Sequence, residues 1–235
     1  GCIMKSEQQL RWQCFSSAER LVESLYSDLA SLAGQCIRER GAFHVVLAGG
    51  TTPQLLYLRL RQLQTDWSRW HFWFGDERCL PVGDPERNDV MAREAWLNHV
   101  PVPAGHVHAM PAELGDVAGA SAYSMELGAQ GDFDLVLLGL GEDGHTASLF
   151  PGKELGIDPG APDAMPVHDA PKPPPERVTL SVNRLARSRC VWFVVTGEAK
   201  SEALRNWRKG AQIPAASIVP DTAVEVYTDC CGEHS

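Results

Sequence analysis

Asp134-Leu-Val-Leu-Leu-Gly-Leu-Gly-Glu-Asp-Gly-His-Thr-Ala-Ser-Leu-Phe-Pro-Gly152 is the stretch that decides the fold of this 235-residue chain. It starts with an apolar run, passes through a glycine-rich turn and reaches a single histidine, His145. An apolar strand that ends in a glycine turn and polar groups is typical of α/β enzymes, which place reactive groups at the carboxyl ends of strands. We therefore expect His145 at the end of a buried strand. The alternative is a histidine that only caps the next helix.

Strands and helices alternate along the rest of the sequence. Apolar runs predict strands at 43–48, 70–74, 133–138, 178–181, 191–196, 218–219 and 224–227. Helical spacing and caps predict helices at 16–41, from 53, at 88–96, at 118–127, from 183 and at 197–208. This alternation predicts an α/β fold with a doubly wound, largely parallel sheet and helices on both faces. No repeat or change in composition divides the chain, so residues 1–235 are predicted to form a single domain.

Three local signals refine this prediction. Ser16 and Glu19 form a capping box, in which Ser16 is the expected N-cap of the first helix. Gly41 is expected to end that helix in a left-handed conformation. Residues 151–176 contain eight prolines and are interpreted as a surface loop.

Composition excludes several classes of function. The formal net charge of −9 argues against a nucleic-acid partner, because phosphate backbones need a basic surface. A small anionic substrate stays possible, since a few local cations can hold a phosphate and screening weakens other charges beyond roughly 10 Å. No apolar run reaches the roughly 18 residues of a membrane span, and no signal peptide is recognisable. We expect no membrane partner and a cytoplasmic location.

The seven cysteines include no C-x-x-C pair, so neither a zinc site nor a thioredoxin-like motif is indicated. A reduced chain is expected, and the adjacent Cys230 and Cys231 are interpreted as incidental. His106 and His108 form an H-x-H pair without a third ligand patterned nearby. They are interpreted as part of a solvated loop, and no metal is expected.

Gly49-Gly-Thr-Thr-Pro53 follows a predicted strand and has the composition of a phosphate cradle. Glycines let backbone N–H groups approach an anion, threonine hydroxyls add donors, and the next helix contributes its positive end. It is not a P-loop, because no Gly-Lys-Ser/Thr follows. A plain tight turn is the alternative.

Gly75-Asp-Glu-Arg78 follows an aromatic strand and is expected to be a charged turn. Arg78 offers a planar fork for a carboxylate, a phosphate or a developing oxyanion. A salt-bridged surface turn is the alternative. Asp76 and Glu77 have no assigned role beyond positioning Arg78.

His145 is the candidate general base, because a neutral imidazole near pH 7 can take a proton from water. Asp143, two residues earlier, is suited to orient that ring. No G-x-S-x-G elbow is present, so a Ser-His-Asp hydrolase is not indicated.

Lys200 lies in the first turn of a predicted helix, where the helix dipole disfavours a cation. That conflict indicates an anion between Lys200 and the helix end, with Arg177 as a second source of charge. An ordinary exposed lysine is the alternative.

Five motifs in order resemble the 6-phosphogluconolactonase family, which belongs to a larger group with the glucosamine-6-phosphate deaminases and isomerases. They are Leu47–Pro53, Gly75–Pro81 with Asn88, Gly139–Gly152, Arg177–Leu180 and Thr196–Lys200. The resemblance implies hydrolysis of 6-phospho-D-glucono-1,5-lactone to 6-phosphogluconate, in the oxidative pentose phosphate pathway, without a metal or organic cofactor. The implied partner is this phosphorylated sugar lactone. The oligomeric state stays open.

The resemblance also implies roles for the candidate residues. His145 would activate water, Asp143 would hold its ring, and Arg78 would steady the oxyanion. The residues expected to bind the phosphate are Gly49, Gly50, Thr51, Thr52, Arg177 and Lys200. The candidate supporting residues are Asp76, Asn88 and Ser148.

Two departures from the family pattern are small. Thr51 stands where serine is usual and keeps the hydroxyl, and Arg87 stands where serine is usual before Asn88. The second change is expected to affect only the local lid or rim of the site.

Two other functions remain as alternatives. The deaminase and isomerase branch has a glutamate five residues after the histidine, where this chain has Phe150, which cannot shuttle a proton. A sugar-phosphate sensor of the same fold would carry a helix-turn-helix, for which this acidic chain has no basic region. Both comparisons favour the lactonase.

Overall fold

The computed structural model describes residues 7–231, so residues 1–6 and 232–235 of the predicted domain lie outside the described part. The strands are β1 (Leu10–Cys14), β2 (Phe43–Leu47), β3 (Trp70–Phe74), β4 (Asp76–Arg78), β5 (Phe133–Leu138), β6 (Ala164–Val167), β7 (Arg177–Leu180), β8 (Ser188–Val195) and β9 (Val224–Thr228). The helices are α1 (Ala18–Arg40), α2 (Thr51–Leu60), α3 (Asn88–Ala95), α4 (Asp116–Leu127), α5 (Val182–Ala186) and α6 (Ser201–Arg208).

Six strands form a parallel sheet in the order β1-β9-β8-β5-β2-β3. All six residues of β5 are buried, as expected for a central parallel strand covered on both faces. After β2 the chain continues to β3 on one side, and after β5 it continues to β8 on the other. A crevice opens where the direction reverses in this way, at the carboxyl ends of β2 and β5. The predicted α/β class with a largely parallel sheet and helices is confirmed.

The predicted cap of α1 is wrong by one residue. Ser17, in an extended conformation, accepts a hydrogen bond from the backbone N–H of Arg20, so Ser17 is the N-cap in place of Ser16. Gly41 ends the helix with φ of 79°, as predicted. No helix within residues 7–231 combines the length and the apolar character that crossing a bilayer requires.

A second, antiparallel sheet in the order β4-β7-β6 corrects two predictions. The expected turn at 75–78 is largely β4, in which Arg78 pairs with Arg177 of β7. The expected loop at 151–176 contains β6, whose residues Ala164 and Met165 are buried. β4 and β6 are short, and their hydrogen bonds to β7 determine their conformation more than their own sequence does. This sheet continues β3 beyond Gly75 and places Arg78 and Arg177 beside the crevice.

Two further differences lie at the other edge of the main sheet. Residues 218–219 form no strand, although Ile218 is fully buried, because a loop can bury an apolar side chain equally well. The sequence pattern does not predict β1, which pairs with β9 in parallel.

A disulfide joins Cys14, at the end of β1, to Cys231, three residues beyond β9. The prediction of a reduced chain is therefore wrong for this pair, because the pairing of β1 with β9 brings two cysteines together that are 217 positions apart. Cys36, Cys79, Cys190 and Cys230 are free. The cytoplasmic location stays a prediction.

Candidate active site

A cavity of about 470 Å³ opens at the carboxyl ends of β2, β3, β5 and β8. The site residues predicted from the sequence that line it are Gly49, Gly50, Thr51, Thr52, Asp76, Arg78, Asn88, His145, Arg177 and Lys200. Asp143 and Ser148 do not line it but contact residues that do. The structure thus brings together groups that are up to 151 positions apart in the sequence.

His145 is held by Asp143 through two hydrogen bonds to the same oxygen. The backbone N–H of His145 lies 2.9 Å from Asp143 Oδ1, and its ring Nδ1 lies 2.6 Å from that atom. A carboxylate only accepts, so Nδ1 carries the proton in the neutral ring and Nε2 is left as an acceptor. Burial alone would raise the pKa of Asp143, but the amide and ring of His145 outweigh it and the net shift is downward.

Phe150 packs against the catalytic candidate. Its ring is buried, and the ring centroids of Phe150 and His145 are 4.7 Å apart. The Arg177 guanidinium lies 5.6 Å from the same ring. Phe150 therefore presents an apolar surface beside His145.

The glycine loop lies between β2 and α2. Gly50 has φ of 106°, a conformation that favours glycine, and the N–H groups of Thr51 and Thr52 are in the first turn of α2. The hydroxyls of Thr52 and Thr196 are 2.5 Å apart. Backbone and hydroxyl donors therefore meet at the positive end of a helix, which suits an anion.

Three predicted supporting residues form one hydrogen-bonded group. Asn88 Nδ2 donates to the carbonyl oxygen (3.0 Å) and to Oδ1 (3.2 Å) of Asp76. Ser148 Oγ lies 2.6 Å from Asp76 Oδ2 and donates to it. Asp76 therefore joins β4, α3 and the segment after His145, which is a larger role than positioning Arg78.

Glu77 anchors the start of α3. Its buried carboxylate accepts hydrogen bonds from the backbone N–H groups of Arg78, Asn88 and Asp89 at 2.7–3.0 Å. Burial raises the pKa of Glu77 to about 7, while the three amides and Arg87 act in the opposite direction. Glu77 thus fixes the helix end from which Asn88 reaches the cavity.

Arg87 does not lie at the rim of the cavity, so that expectation is wrong. Its side chain is 2% exposed and turns away from the cavity. It donates to Asp89, to Glu113 and to the carbonyl oxygens of Leu80 and Met110. Arg87 is a buried residue that connects the start of α3 to the segments that contain Leu80, Met110 and Glu113.

Arg78 and Arg177 are neighbours across the β4-β7 pair. Arg78 Nη1 donates to the carbonyl oxygen of Glu86, and the buried Nε of Arg78 has no hydrogen-bond partner within residues 7–231. Burial lowers the pKa of Arg177, the negative charge of Asp76 opposes this shift, and the positive charge of Arg78 adds to it. Such a pair is suited to receive an anionic or strongly polar ligand.

The sequence prediction did not include two residues that line the cavity, Lys172 and Thr196. Thr196 stands at the end of a predicted strand beside Gly197, a position that could have identified it. Lys172 lies among prolines with no recognisable motif, and only its contact in space reveals it.

The histidines near β3 form a stack. His71 stacks with His44 and His106 at centroid distances of 4.4 and 3.9 Å, and His108 stacks on Trp73 at 3.9 Å. The interpretation of His106 and His108 as a solvated loop therefore holds only in part, because aromatic packing leaves both residues half-buried. In the described part of the chain, no group of three or more His, Cys, Asp or Glu could hold a metal ion.

Residues 16–227 match the family model described as glucosamine-6-phosphate isomerases/6-phosphogluconolactonase. The chain belongs to this family. Within it, the chain is 38% identical over 230 residues to the 6-phosphogluconolactonase of Mycobacterium leprae, covering 92% of both chains. It is 39% identical over 222 residues to the 6-phosphogluconolactonase of Streptomyces coelicolor, covering 86% of this chain and 82% of that protein.

The fold agrees with a solved member of the family. The crystal structure of 6-phosphogluconolactonase from Thermotoga maritima has a TM-score of 0.82 and 27% identity, covering 94% of this chain and all of that one. These relatives are lactone hydrolases, and the chain is an enzyme of the same family.

Proposed function

We propose that this enzyme hydrolyses 6-phospho-D-glucono-1,5-lactone to 6-phospho-D-gluconate, the lactonase step of the oxidative pentose phosphate pathway. The observation that carries the proposal is a histidine oriented by Asp143 in the same cavity as four cations. The cations are Arg78, Lys172, Arg177 and Lys200, and Asp76 is the one carboxylate that lines the cavity within residues 7–231. The names of the relatives support the same reaction.

The phosphate binds at the glycine loop. The N–H groups at the start of α2 and the hydroxyls of Thr51 and Thr52 donate to it, and Lys200 supplies charge from the segment after β8. Binding the phosphate far from the reacting carbon orients the lactone and converts binding energy into rate.

His145 then acts as a general base without a metal or organic cofactor. Nε2 takes a proton from water as the water oxygen attacks the C1 carbonyl, and Arg78 donates to the oxyanion. The tetrahedral intermediate collapses, the bond from C1 to the ring oxygen breaks, and the imidazolium returns its proton to that oxygen. General-base action of about 10²–10⁴-fold and one oxyanion donor of about 10²–10³-fold suffice for an activated ester.

Phe150 favours this reaction over deamination of glucosamine 6-phosphate. The family includes both activities. Ring opening of an amino sugar needs a proton carrier next to the histidine, and the Phe150 ring in that place has no ionisable group.

The test compares freshly generated lactone with glucosamine 6-phosphate as substrates of the purified protein. We expect turnover of the lactone alone, and we expect His145→Ala to lower kcat by about 10²–10⁴-fold. His99→Ala, which removes an exposed histidine outside the cavity, is the matched control.

The other outcomes identify the alternatives. Full lactone turnover by His145→Ala would exclude this residue as the base. Release of ammonia from glucosamine 6-phosphate would indicate a deaminase. Binding of sugar phosphates without turnover would indicate a sensor.

A further inference from the structure

Residues 168–176, which we call the proline loop, form part of the cavity wall. Lys172 and Pro173 line the cavity. The backbone N–H of Ala170 donates to the carbonyl oxygen of Pro175 at 3.0 Å and closes the loop on itself. β7 begins directly after it at Arg177, so the small sheet anchors one end of the loop at the site.

Arg177 holds the proline loop through backbone carbonyl groups. Its Nε donates to Pro174 at 3.1 Å, and its Nη2 donates to Lys172 at 3.0 Å and to Pro173 at 3.3 Å. Arg177 is 5% exposed, and the proline rings restrict φ along the loop. The backbone of Lys172 is therefore fixed before any ligand arrives.

The ammonium group of Lys172 carries an uncompensated charge. Within residues 7–231, no carboxylate forms an ion pair with Lys172 or with Lys200, which lines the same cavity. Lys153 offers a contrast, because it pairs with Asp169 of the proline loop at 3.3 Å. Two unpaired lysines from separate parts of the chain thus face one space that a dianion could enter.

We infer that Lys172 binds the phosphate group of the substrate together with Lys200, and that Arg177 is the positioning residue that holds Lys172 in place. This inference rests on the proposed function, because the phosphate is the anionic group of the phosphorylated lactone. Lysine suits this task as a compact point charge on a flexible stem, and a fixed backbone restricts where that charge can reach. Arg177 uses two of its three nitrogens on the loop, which assigns it a role beyond charge alone.

Steady-state kinetics of Lys172→Ala test the inference. kcat/KM for the phosphorylated lactone is expected to fall by about 10-fold or more, the effect of losing one charged hydrogen bond, with a rise in KM as the main part of that change. Hydrolysis of unphosphorylated glucono-1,5-lactone is expected to stay at the wild-type rate. Lys209→Ala, which removes an exposed lysine at the end of α6, is the matched control and is expected to change neither substrate's kinetics.

Calorimetric titration with inorganic phosphate separates this inference from the proposed function. A wild-type protein that hydrolyses neither lactone would refute the proposed function, while weaker phosphate binding by Lys172→Ala would still support a phosphate contact. An unchanged KM and an unchanged phosphate affinity in Lys172→Ala would overturn the inference. Equal losses with both lactones would also overturn it, because the phosphate would then not be involved.

A double-mutant cycle tests the positioning role of Arg177. Arg177→Lys keeps the positive charge but loses the planar fork that holds three carbonyl groups. If Arg177 acts through Lys172, this change raises KM in the wild type and adds little in the Lys172→Ala background. Fully additive effects would contradict the positioning role and place Arg177 in direct contact with the phosphate.

Discussion

Gly49 and Gly141 of the candidate site have no room for a side chain. An added Cβ at Gly49 would overlap Asn88 Oδ1, and one at Gly141 would overlap the ring of His145 and lie 2.9 Å from Asp143 Oδ1. Functional side chains thus occupy the space that other residues would need for their own Cβ atoms. The glycines of this site serve close packing of polar groups as well as backbone freedom.

Gly141→Ala is expected to displace the His145 ring and lower kcat by at least about 100-fold, since a shift of about 1 Å costs that much. The free energy of unfolding should change much less, because the loop can move into the cavity. Gly105→Ala is the control, because an added Cβ there meets nothing within 4 Å. Steady-state kinetics and thermal unfolding check both variants, and wild-type kcat in Gly141→Ala would show that His145 tolerates the displacement.

The sequence predicts those site residues that directly follow a recognisable strand. His145, Asp143 and the glycine loop follow apolar strands, so their placement at the crevice follows from the fold class. Lys172 could not be found in this way, because backbone hydrogen bonds to Arg177 place it. Arg87 was assigned to the rim because its burial depends on Met110 and Glu113, which are distant in sequence.

The start of α3 depends on a carboxylate that belongs to β4. Glu77 of β4 accepts the N–H groups of Asn88 and Asp89, which would otherwise be unpaired in the first turn of α3. Arg87 Nε lies 3.9 Å from Glu77 and 2.9 Å from Asp89. The position of Asn88 in the cavity is therefore set by a buried charged group beneath the helix.

Glu77→Gln is expected to lower the free energy of unfolding by about 1–3 kcal/mol, because the new amide NH₂ group meets donors where Oε2 accepted. Denaturant unfolding at pH 8, above the raised pKa of about 7, measures the loss where it is smallest, because burial disfavours the ionised carboxylate of the wild type and does not disfavour the neutral amide in the same way. Glu19→Gln, an exposed change in the first turn of α1, should stay within about 0.5 kcal/mol. Wild-type stability of Glu77→Gln would mean that the amide re-forms all three hydrogen bonds.

The strands differ in how far the sequence predicts them. β3 and β5 are continuous apolar runs and match their predicted bounds at both ends. β1 and the two strands that flank β7 are short or partly exposed, and their hydrogen bonds go to strands far along the chain. Periodicity reports burial, so it detects central strands and misses strands that pairing alone defines.

The charge of the site is opposite in sign to the net charge of the chain. The formal net charge is −9, yet four cations and one carboxylate line the described cavity. Screening weakens charges that lie more than roughly 10 Å away, so the cations of the cavity dominate the electrostatic interaction with a bound phosphate. Net charge therefore argues against a nucleic-acid surface but says little about the ligand of a crevice.

The Cys14–Cys231 disulfide is expected to stabilise the whole fold by closing a loop across nearly the entire described chain. Replacing both cysteines with serine should lower the free energy of unfolding by about 2–4 kcal/mol, mainly through the unfolded state. Thermal unfolding with and without a reductant checks this. The reductant should lower the wild-type Tm and leave the double variant unchanged, and equal responses would show that the bond is absent in solution.

The same bond closes residues 14–231 into a covalent ring, because Cys14 lies near the start of the described chain and Cys231 is its last residue. One protease cut inside a ring opens it without releasing a fragment. A nick at the exposed residues 157–160 would therefore leave a single molecule on a non-reducing gel and two pieces after reduction. A single cut in the loop from which Lys172 reaches the cavity would likewise leave the two pieces joined through Cys14 and Cys231.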